Sequence, residues 1–85
     1  MYYVGETLIG FDCDICFFDT LEEAEAEYNR IFMDFVADKS RRLALMQEYG
    51  MNCDAERWII KNTKTNKIIK EQTFILRNNG NIYVQ

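Results

Sequence analysis

Two cysteines, three residues apart, are the side chains with the clearest chemical potential in this sequence. They are Cys13 and Cys16 in the stretch FDCDICFFD, and a third cysteine stands at position 53. A Cys-x-x-Cys pair can hold a metal ion or cycle between dithiol and disulfide. Structural zinc usually takes four nitrogen or sulfur ligands, and this chain has no histidine. The ligand count therefore argues against a metal.

The position of the two cysteines on a strand argues the same way. On a regular strand alternate residues share a face. The predicted faces are Phe11, Cys13, Ile15 and Phe17 on the core side and Asp12, Asp14 and Cys16 on the other. A redox pair also needs its first cysteine at a helix start, whereas the nearest predicted helix starts at Thr20. We expect Cys13 to be a small core residue, Cys16 to be a neutral occupant of the other face, and no metal to bind. A three-cysteine site completed by an aspartate, or one shared across a dimer, is the alternative.

Other catalytic arrangements are also absent from the sequence. Without histidine there is no histidine-based triad, and four scattered glycines build no phosphate-cradling loop. Asp12 and Asp14, predicted on one strand face, could form a carboxylate pair or a weak cation site, but an exposed acidic strand is the commoner meaning. We expect no enzymatic activity and no cofactor.

The elements that would position these residues follow from periodicity. Residues 2–18 are rich in β-favouring types and predict two short strands, with a bend at Gly5-Glu6 or Gly10. Thr20-Leu21-Glu22-Glu23 fits a helical capping box. The apolar positions that follow at helical spacing are Leu21, Ala24, Tyr28, Ile31, Phe32, Phe35, Leu43, Met46 and Tyr49.

One unbroken helix over that range would be about 44 Å long, which is too long for so small a sheet. We therefore predict a break near residues 38–40 and a C-cap at Gly50. After a loop over 51–55, strands are predicted at Arg57–Asn62, Lys67–Arg77 and Asn81–Val84. Asn79-Gly80 is a strong hairpin signal. The expected fold is one α+β domain over 1–85: an amphipathic helix, broken near 38–40, on an antiparallel sheet of four to five strands with a C-terminal three-stranded meander.

Length and composition further restrict the kind of protein and the compartment in which it is expected. The 85 residues are 48% hydrophobic, which allows a core at this size. We see no signal peptide and no run long enough to span a membrane. Three cysteines are an odd count that does not suit a secreted disulfide scaffold. The sequence thus predicts a cytoplasmic protein with reduced thiols and no membrane partner.

The net charge of −4 hides a strong asymmetry. Residues 1–38 contain ten acids and one base, a charge of −9, and residues 39–85 contain nine bases and four acids, a charge of +5. Charge distribution of this kind bears on partners rather than on fold. The leading hypothesis is a non-enzymatic module that binds a partner protein with a basic surface through its acidic end. The residues predicted to bind are Asp12, Asp14, Asp19, Glu22, Glu23 and Glu27.

A short strand leading into DTLEEAEAEY and a later turn NTKTNKIIKE give the chain a general make-up that resembles small accessory proteins of phages and mobile elements. Anti-CRISPR and related anti-defence inhibitors are often small, acidic and without catalytic motifs. The resemblance concerns size, charge and the general character of the sequence. It implies an inhibitor that acts by covering the surface of a protein that handles nucleic acid.

Two alternatives use other parts of the chain. A nucleic-acid binder would use the basic residues around the predicted hairpin, with Trp58, Phe74 and Tyr83 on neighbouring strands as a stacking surface. Its residues would be Arg57, Lys61, Lys64, Lys67 and Lys70. An isoelectric point of about 4.7 argues against this reading. A homodimeric structural module would instead pair its helical stripe or an open sheet edge with a second copy.

Overall fold

The computed structural model describes residues 1–85 and contains a five-stranded antiparallel sheet with two helices packed on one face. The elements are β1 (Tyr2–Leu8), β2 (Phe11–Phe18), α1 (Leu21–Ala37), α2 (Lys39–Tyr49), β3 (Cys53–Asn62), β4 (Lys67–Arg77) and β5 (Ile82–Val84). The strand order is β2-β1-β3-β4-β5, so β2 and β5 are the edges. The predicted α+β class and the C-terminal meander of β3, β4 and β5 are confirmed.

The helical segment begins and breaks as its sequence predicts. The Glu23 amide donates to the Thr20 hydroxyl at 3.2 Å, and that hydroxyl donates to the Glu23 carboxylate at 3.0 Å, which caps the first turn. The segment breaks at Asp38, between α1 and α2. It ends at Gly50, whose φ of +64° is the left-handed conformation that favours glycine at a C-cap.

The core lies between the helices and the sheet. Phe74 on β4 is its centre, because the rings of Tyr28, Phe32 and Phe35 all lie with centroids 5.0–5.9 Å from that of Phe74. The remaining buried members are Val4, Ala24, Met46, Trp58, Ile60 and Leu76. The predicted helical stripe packs here, which leaves it covered by the sheet. Its last residue, Tyr49, is 71% exposed, because the break at Asp38 ends the phase of a continuous helix.

A bulge in β2 reverses the predicted faces of residues 14–17, whereas residues 11–13 keep theirs. Val4 pairs with Cys16 and Glu6 pairs with Cys13, so Asp14 and Ile15 together oppose Gly5. Paired residues share a face, and Val4 and Glu6, two apart, face the helices. Cys13 and Cys16 therefore lie on the same face, and the prediction that they point in opposite directions is wrong.

The bulge depends on two local features. Asp14 adopts a φ of +52°, a conformation that aspartate tolerates better than most residues. A Cβ on Gly5 would lie 3.2 Å from Cγ1 of Ile15, so glycine leaves the room that the extra residue needs. Ile15 consequently points to the open face, away from the helices, together with Phe17. That ring packs edge-on against Tyr3.

One strand boundary also differs from the prediction. Residues Cys53 to Ala55, expected in a loop, pair with Arg77 to Ile75 and belong to β3. Local turn-forming types gave way to the ladder that the partner strand supplies. This extension carries Asp54 and Glu56 onto the helix-facing side of the sheet, in register with the buried Trp58.

Candidate functional site

Two adjoining cavities lie between one side of α1 and the sheet. The larger, about 500 Å³, is lined by Ile31, Asp34, Phe35, Ala37, Asp38, Arg42, Glu56 and Trp58. The smaller, about 200 Å³, is lined by Val4, Asp14, Cys16, Glu27, Arg30, Ile31 and Trp58. Because Ile31 and Trp58 line both, we treat the two cavities as one feature, called here the acidic groove.

The acidic groove combines an apolar floor with a negative rim. Its carboxylates, which come from β2, α1, the α1–α2 junction and β3, are Asp14, Glu27, Asp34, Asp38 and Glu56. Against these five stand two guanidinium groups, Arg30 and Arg42. The groove is therefore net negative, as a site for a cationic partner surface would be.

Arg42 ties α2 to β3 at the larger cavity. Its Nη1 donates to Asp54 at 3.0 Å and its Nη2 to Glu56 at 2.7 Å. Its guanidinium stacks over the Phe35 ring, 4.3 Å from the centroid, and Nε lies 3.2 Å from an Asp38 carboxylate oxygen. With only 14% of its side chain exposed, Arg42 is a structural ion-pair centre that fixes the carboxylates around it.

Arg30 organises the helix side of the smaller cavity. It donates through Nη2 to Glu27 at 2.9 Å and through Nη1 to Asp34 at 2.6 Å. The hydrogen bond from Arg30 is the main reason that the pKa of Glu27 lies below its usual value. The predicted helical ion pairs Glu27–Arg30, Arg30–Asp34 and Asp38–Arg41 are all confirmed. Exposed pairs of this kind contribute little stability, which leaves them free to exchange partners.

Glu6 extends the negative charge toward β1. Burial raises the pKa of Glu6 above its usual value, and the neighbouring carboxylates of Glu56 and Asp14 raise it further. Ionised Glu6 is thus held in a site that already carries negative charge, which a cation from a partner would relieve.

Glu6, Cys13 and Asp14 also form a small cluster whose ligand atoms all lie within 4.8 Å of one another. The Asp12–Asp14 carboxylate pair, which was the less favoured alternative, does not form, because the bulge places Asp14 on the helix side and leaves Asp12 on the open face. Desolvation raises the pKa of the Cys13 thiol, and Asp14 and Glu6 add to the shift. The thiolate, the form that reacts and binds metals, is therefore disfavoured.

The six residues predicted to bind a partner are divided by the fold. Asp14 and Glu27 line the acidic groove. Asp19, Glu22 and Glu23 are exposed at the start of α1, where Glu23 serves the cap. Asp12 is on the opposite, open face of the sheet.

Asp12 there accepts hydrogen bonds from the Tyr3 hydroxyl at 2.5 Å and from the Thr7 hydroxyl at 3.2 Å. Burial, with help from this hydrogen bond and the Asp12 charge, raises the pKa of Tyr3 to about 12. Asp12 is therefore engaged within the protein and is remote from the groove.

Sequence reasoning missed the sheet side of the groove. Asp54 and Glu56 continue the alternation of Trp58 and Ile60, and Glu6 continues that of Val4. Charged residues that extend a buried face are the signal that could have found them, since they mark where the helices stop covering the sheet. Arg42 had a similar signal, because it falls beside the apolar stripe of the helix.

The basic residues of the alternative hypothesis do not converge. Lys61 lies on the open face beside Tyr3, and Arg57 on that face is paired with Glu71. Lys70 lies on the helix side, 4.7 Å from the centroid of the Tyr28 ring. Lys64 and Lys67 are exposed in and beside the β3–β4 turn. The five residues thus point to at least three different parts of the surface.

The aromatic residues proposed as their stacking partners are mostly internal. Phe74 is 1% exposed and Trp58 is 8% exposed, both within the core. Only Tyr83 offers an accessible ring, on the open face. Trp58, Phe74 and Tyr83 therefore do not form a stacking surface with these lysines, and the aromatic side chains beside Lys61 are instead Tyr3 and Phe17.

No protein-family model, no curated protein and no solved structure matches this chain. Neither helix combines the length with the apolar character that crossing a membrane requires. The interpretation of the acidic groove therefore rests on its own geometry and charge.

Proposed function

We propose that this protein is a non-enzymatic binding module whose acidic groove covers a basic surface of a partner protein. The observation that carries this proposal is the convergence of carboxylates from four parts of the chain on one depression with an apolar floor. Apolar contact supplies affinity, and complementary charge supplies specificity and fast association.

The chemistry of the groove suits binding better than catalysis. Its central arginine, Arg42, is held in a fixed ion-pair network. A nucleophilic cysteine needs an accessible thiolate, whereas desolvation and the neighbouring carboxylates raise the pKa of the Cys13 thiol and disfavour that form.

A partner that handles nucleic acid is the class we would test first. Such a protein presents a lysine- and arginine-rich surface shaped to hold a polyanion, and an acidic groove can occupy it in place of the phosphates. The likeness of the chain in size and charge to small anti-defence proteins of phages agrees with an inhibitor of this kind acting in the host cytoplasm.

Affinity capture with matched variants tests the proposal. The groove variant is Asp14→Asn, Glu27→Gln and Asp34→Asn, and the control variant, which removes the same charge elsewhere, is Glu22→Gln, Glu25→Gln and Glu48→Gln. We expect one protein partner that survives nuclease treatment with the wild type and the control but is lost with the groove variant. Thermal melts of all three proteins establish that the variants are folded.

Two outcomes would contradict the proposal. Capture that disappears with nuclease would mean that nucleic acid is the ligand. It would then bind the β3–β4 hairpin that contains Lys61, Lys64, Lys67 and Lys70, called here the lysine-bearing hairpin. Capture that is lost with the control variant and kept with the groove variant would move the binding surface out of the groove, to the helix surfaces that carry Glu22, Glu25 and Glu48.

A further inference from the structure

The edge of the sheet beside the acidic groove is unpaired. β2 pairs only with β1, and no hydrogen bond from a loop, turn or cap involves the backbone of residues 11–18. An edge strand presents a row of free N–H and C=O groups that can accept another strand. With eight residues, β2 is much longer than β5, the three-residue strand at the other edge.

This edge has little protection against pairing. It has no lysine and no proline, and its aromatic residues Phe11 and Phe17 are each 60% exposed. The bulge at Asp14 and the charges of Asp12 and Asp14 are its protective features. Because a bulge twists the edge, it disfavours indiscriminate pairing without preventing the addition of a strand that fits.

The two sides of this edge have different chemistry. On the helix side, Asp14 and Cys16 line the acidic groove next to Glu27. On the open side, Ile15 is 39% exposed and Phe17 is 60% exposed. Asp12, which precedes the bulge on that side, already accepts hydrogen bonds from Tyr3 and Thr7. Along residues 14–17 an added strand would therefore meet a carboxylate with one set of alternate side chains and an apolar surface with the other.

We infer that β2 is a docking edge for an extended segment of the partner protein in which basic and apolar side chains alternate. Backbone hydrogen bonds to β2 hold the segment, its basic side chains enter the acidic groove, and its apolar side chains cover Ile15 and Phe17. The inference rests on the proposed function and specifies which part of the partner the groove recognises.

Charge decides against a symmetric second copy as the occupant. Two β2 strands paired about a two-fold axis would bring the acidic residues of both copies together, which is destabilising. The one basic stretch of exposed backbone in this chain is Lys67–Gln72 of β4, since β5 pairs only with Phe74–Leu76. A β2–β4 contact between copies would be head-to-tail and would not close, so it would appear as an oligomer of growing mass.

The test uses a synthetic peptide of about ten residues in which lysine and valine alternate, a length that spans β2. The control peptide has the same composition with its lysines and valines grouped. We expect the alternating peptide to bind the full chain at least about tenfold more tightly than the grouped one, because only it satisfies both sides of the edge. Amide hydrogen exchange should slow within residues 11–18 when it binds.

Phe17→Lys adds a guard residue to the edge, and Met33→Lys adds the same charge to an exposed position of α1. The Phe17 variant should lower the affinity for the alternating peptide by about tenfold or more, whereas the Met33 variant should leave it unchanged.

The outcomes separate the two proposals. Equal affinity for both peptides would overturn the docking edge and leave the acidic groove in place. Binding of neither peptide at low ionic strength would overturn both. Salt-sensitive oligomers of the chain alone that Lys67→Glu abolishes would show that a second copy occupies β2, which also overturns the inference.

Discussion

The acidic groove and the lysine-bearing hairpin are both built from charged segments, but the charged side chains converge only in the groove. The hairpin lies in the basic half of the chain, and the groove takes most of its carboxylates from the acidic half, with Glu56 added from the basic half. The fold brings the carboxylates of Asp14, Glu27 and Glu56 around one depression, whereas it sends Lys61 and Lys70 to opposite faces of the sheet. A charged segment produces a strong local electrostatic potential only where the fold brings its charged side chains together.

The physical origin of this difference is the geometry of the elements. Along α1, spacings of three and four residues keep Glu27, Arg30 and Asp34 on one side. The chain then returns through β3, whose helix-facing residues bring Glu56 to the same place. In the hairpin, alternation separates successive side chains, so lysines that are close in sequence diverge.

The largest expected effect on stability concerns Phe74 of β4, which we compare with Tyr83 of β5. Phe74→Ala should lower the free energy of unfolding by about 3–5 kcal/mol, as for other buried phenylalanines, because three aromatic rings pack on it. Tyr83→Ala, on the adjoining strand but 42% exposed, should cost less than about 1 kcal/mol. Urea unfolding measures both. Similar costs for the two variants would mean that Phe74 is not the centre of the core.

A smaller effect on stability is expected at Arg42, which links α2 to β3 beside the groove. Arg42→Ala should destabilise the fold by about 2 kcal/mol, because Asp54 and Glu56 lose their partner in a half-buried site. Arg41→Ala, with 64% of the side chain exposed, should stay within about 0.5 kcal/mol of the wild type. Thermal or chemical unfolding of the two variants gives the comparison, and an equal cost would refute the role assigned to Arg42.

The pH dependence of stability tests the electrostatic environment of Glu6 beside the groove. Because the pKa of Glu6 is raised in the folded state, its ionised form opposes folding once the pH exceeds that folded pKa. Glu6→Gln should therefore stabilise the protein at pH 7, by less than Arg42→Ala destabilises it. The gain should vanish at about pH 3, where the carboxyl is protonated in both states.

Glu25→Gln, at an exposed position of α1, is the control for Glu6→Gln and should change little at either pH. Unfolding curves recorded at the two pH values give the comparison. A Glu6 variant that is less stable than the wild type at pH 7 would show that the carboxylate has a favourable partner there.

The smallest expected effect lies on the hairpin. Neutralising Lys61, Lys64 and Lys67 together should leave stability near that of the wild type, since exposed charges contribute little. Neither this variant nor the wild type should shift single-stranded nucleic acid in a gel at physiological salt, because the lysines do not converge on one surface and Trp58 and Phe74 are internal. A clear shift that the variant abolishes would reverse the comparison between the two regions.

Local patterns predicted most of the fold. The capping box at Thr20, the break near residues 38–40 and the Asn79-Gly80 turn are all written in neighbouring residues, and the strands follow from residue type. The bulge at Asp14 was not predictable in this way, because it depends on Gly5, which lies across the ladder.

The candidate site was predictable only in part. The charged side of α1 follows from helical spacing. Asp14 and Glu27, which were predicted to bind a partner, both line the acidic groove, and their role in binding stays a prediction. Glu6, Asp54 and Glu56 were missed because their place depends on how far the helices cover the sheet, which no local pattern states. Asp14 was assigned to the wrong face because of the bulge, whereas Asp12 lies on the face away from the core, as predicted.

The most direct test of the central claim is the association rate of this protein with the partner recovered after nuclease treatment, measured over a range of ionic strength. For the groove variant (Asp14→Asn, Glu27→Gln, Asp34→Asn) we predict association about tenfold slower at low salt and a flatter salt dependence, because steering by the groove is lost. The variant Lys61→Gln, Lys64→Gln and Lys67→Gln should associate at least as fast as the wild type. An unchanged rate for the groove variant together with a slower rate for the lysine variant would contradict the account.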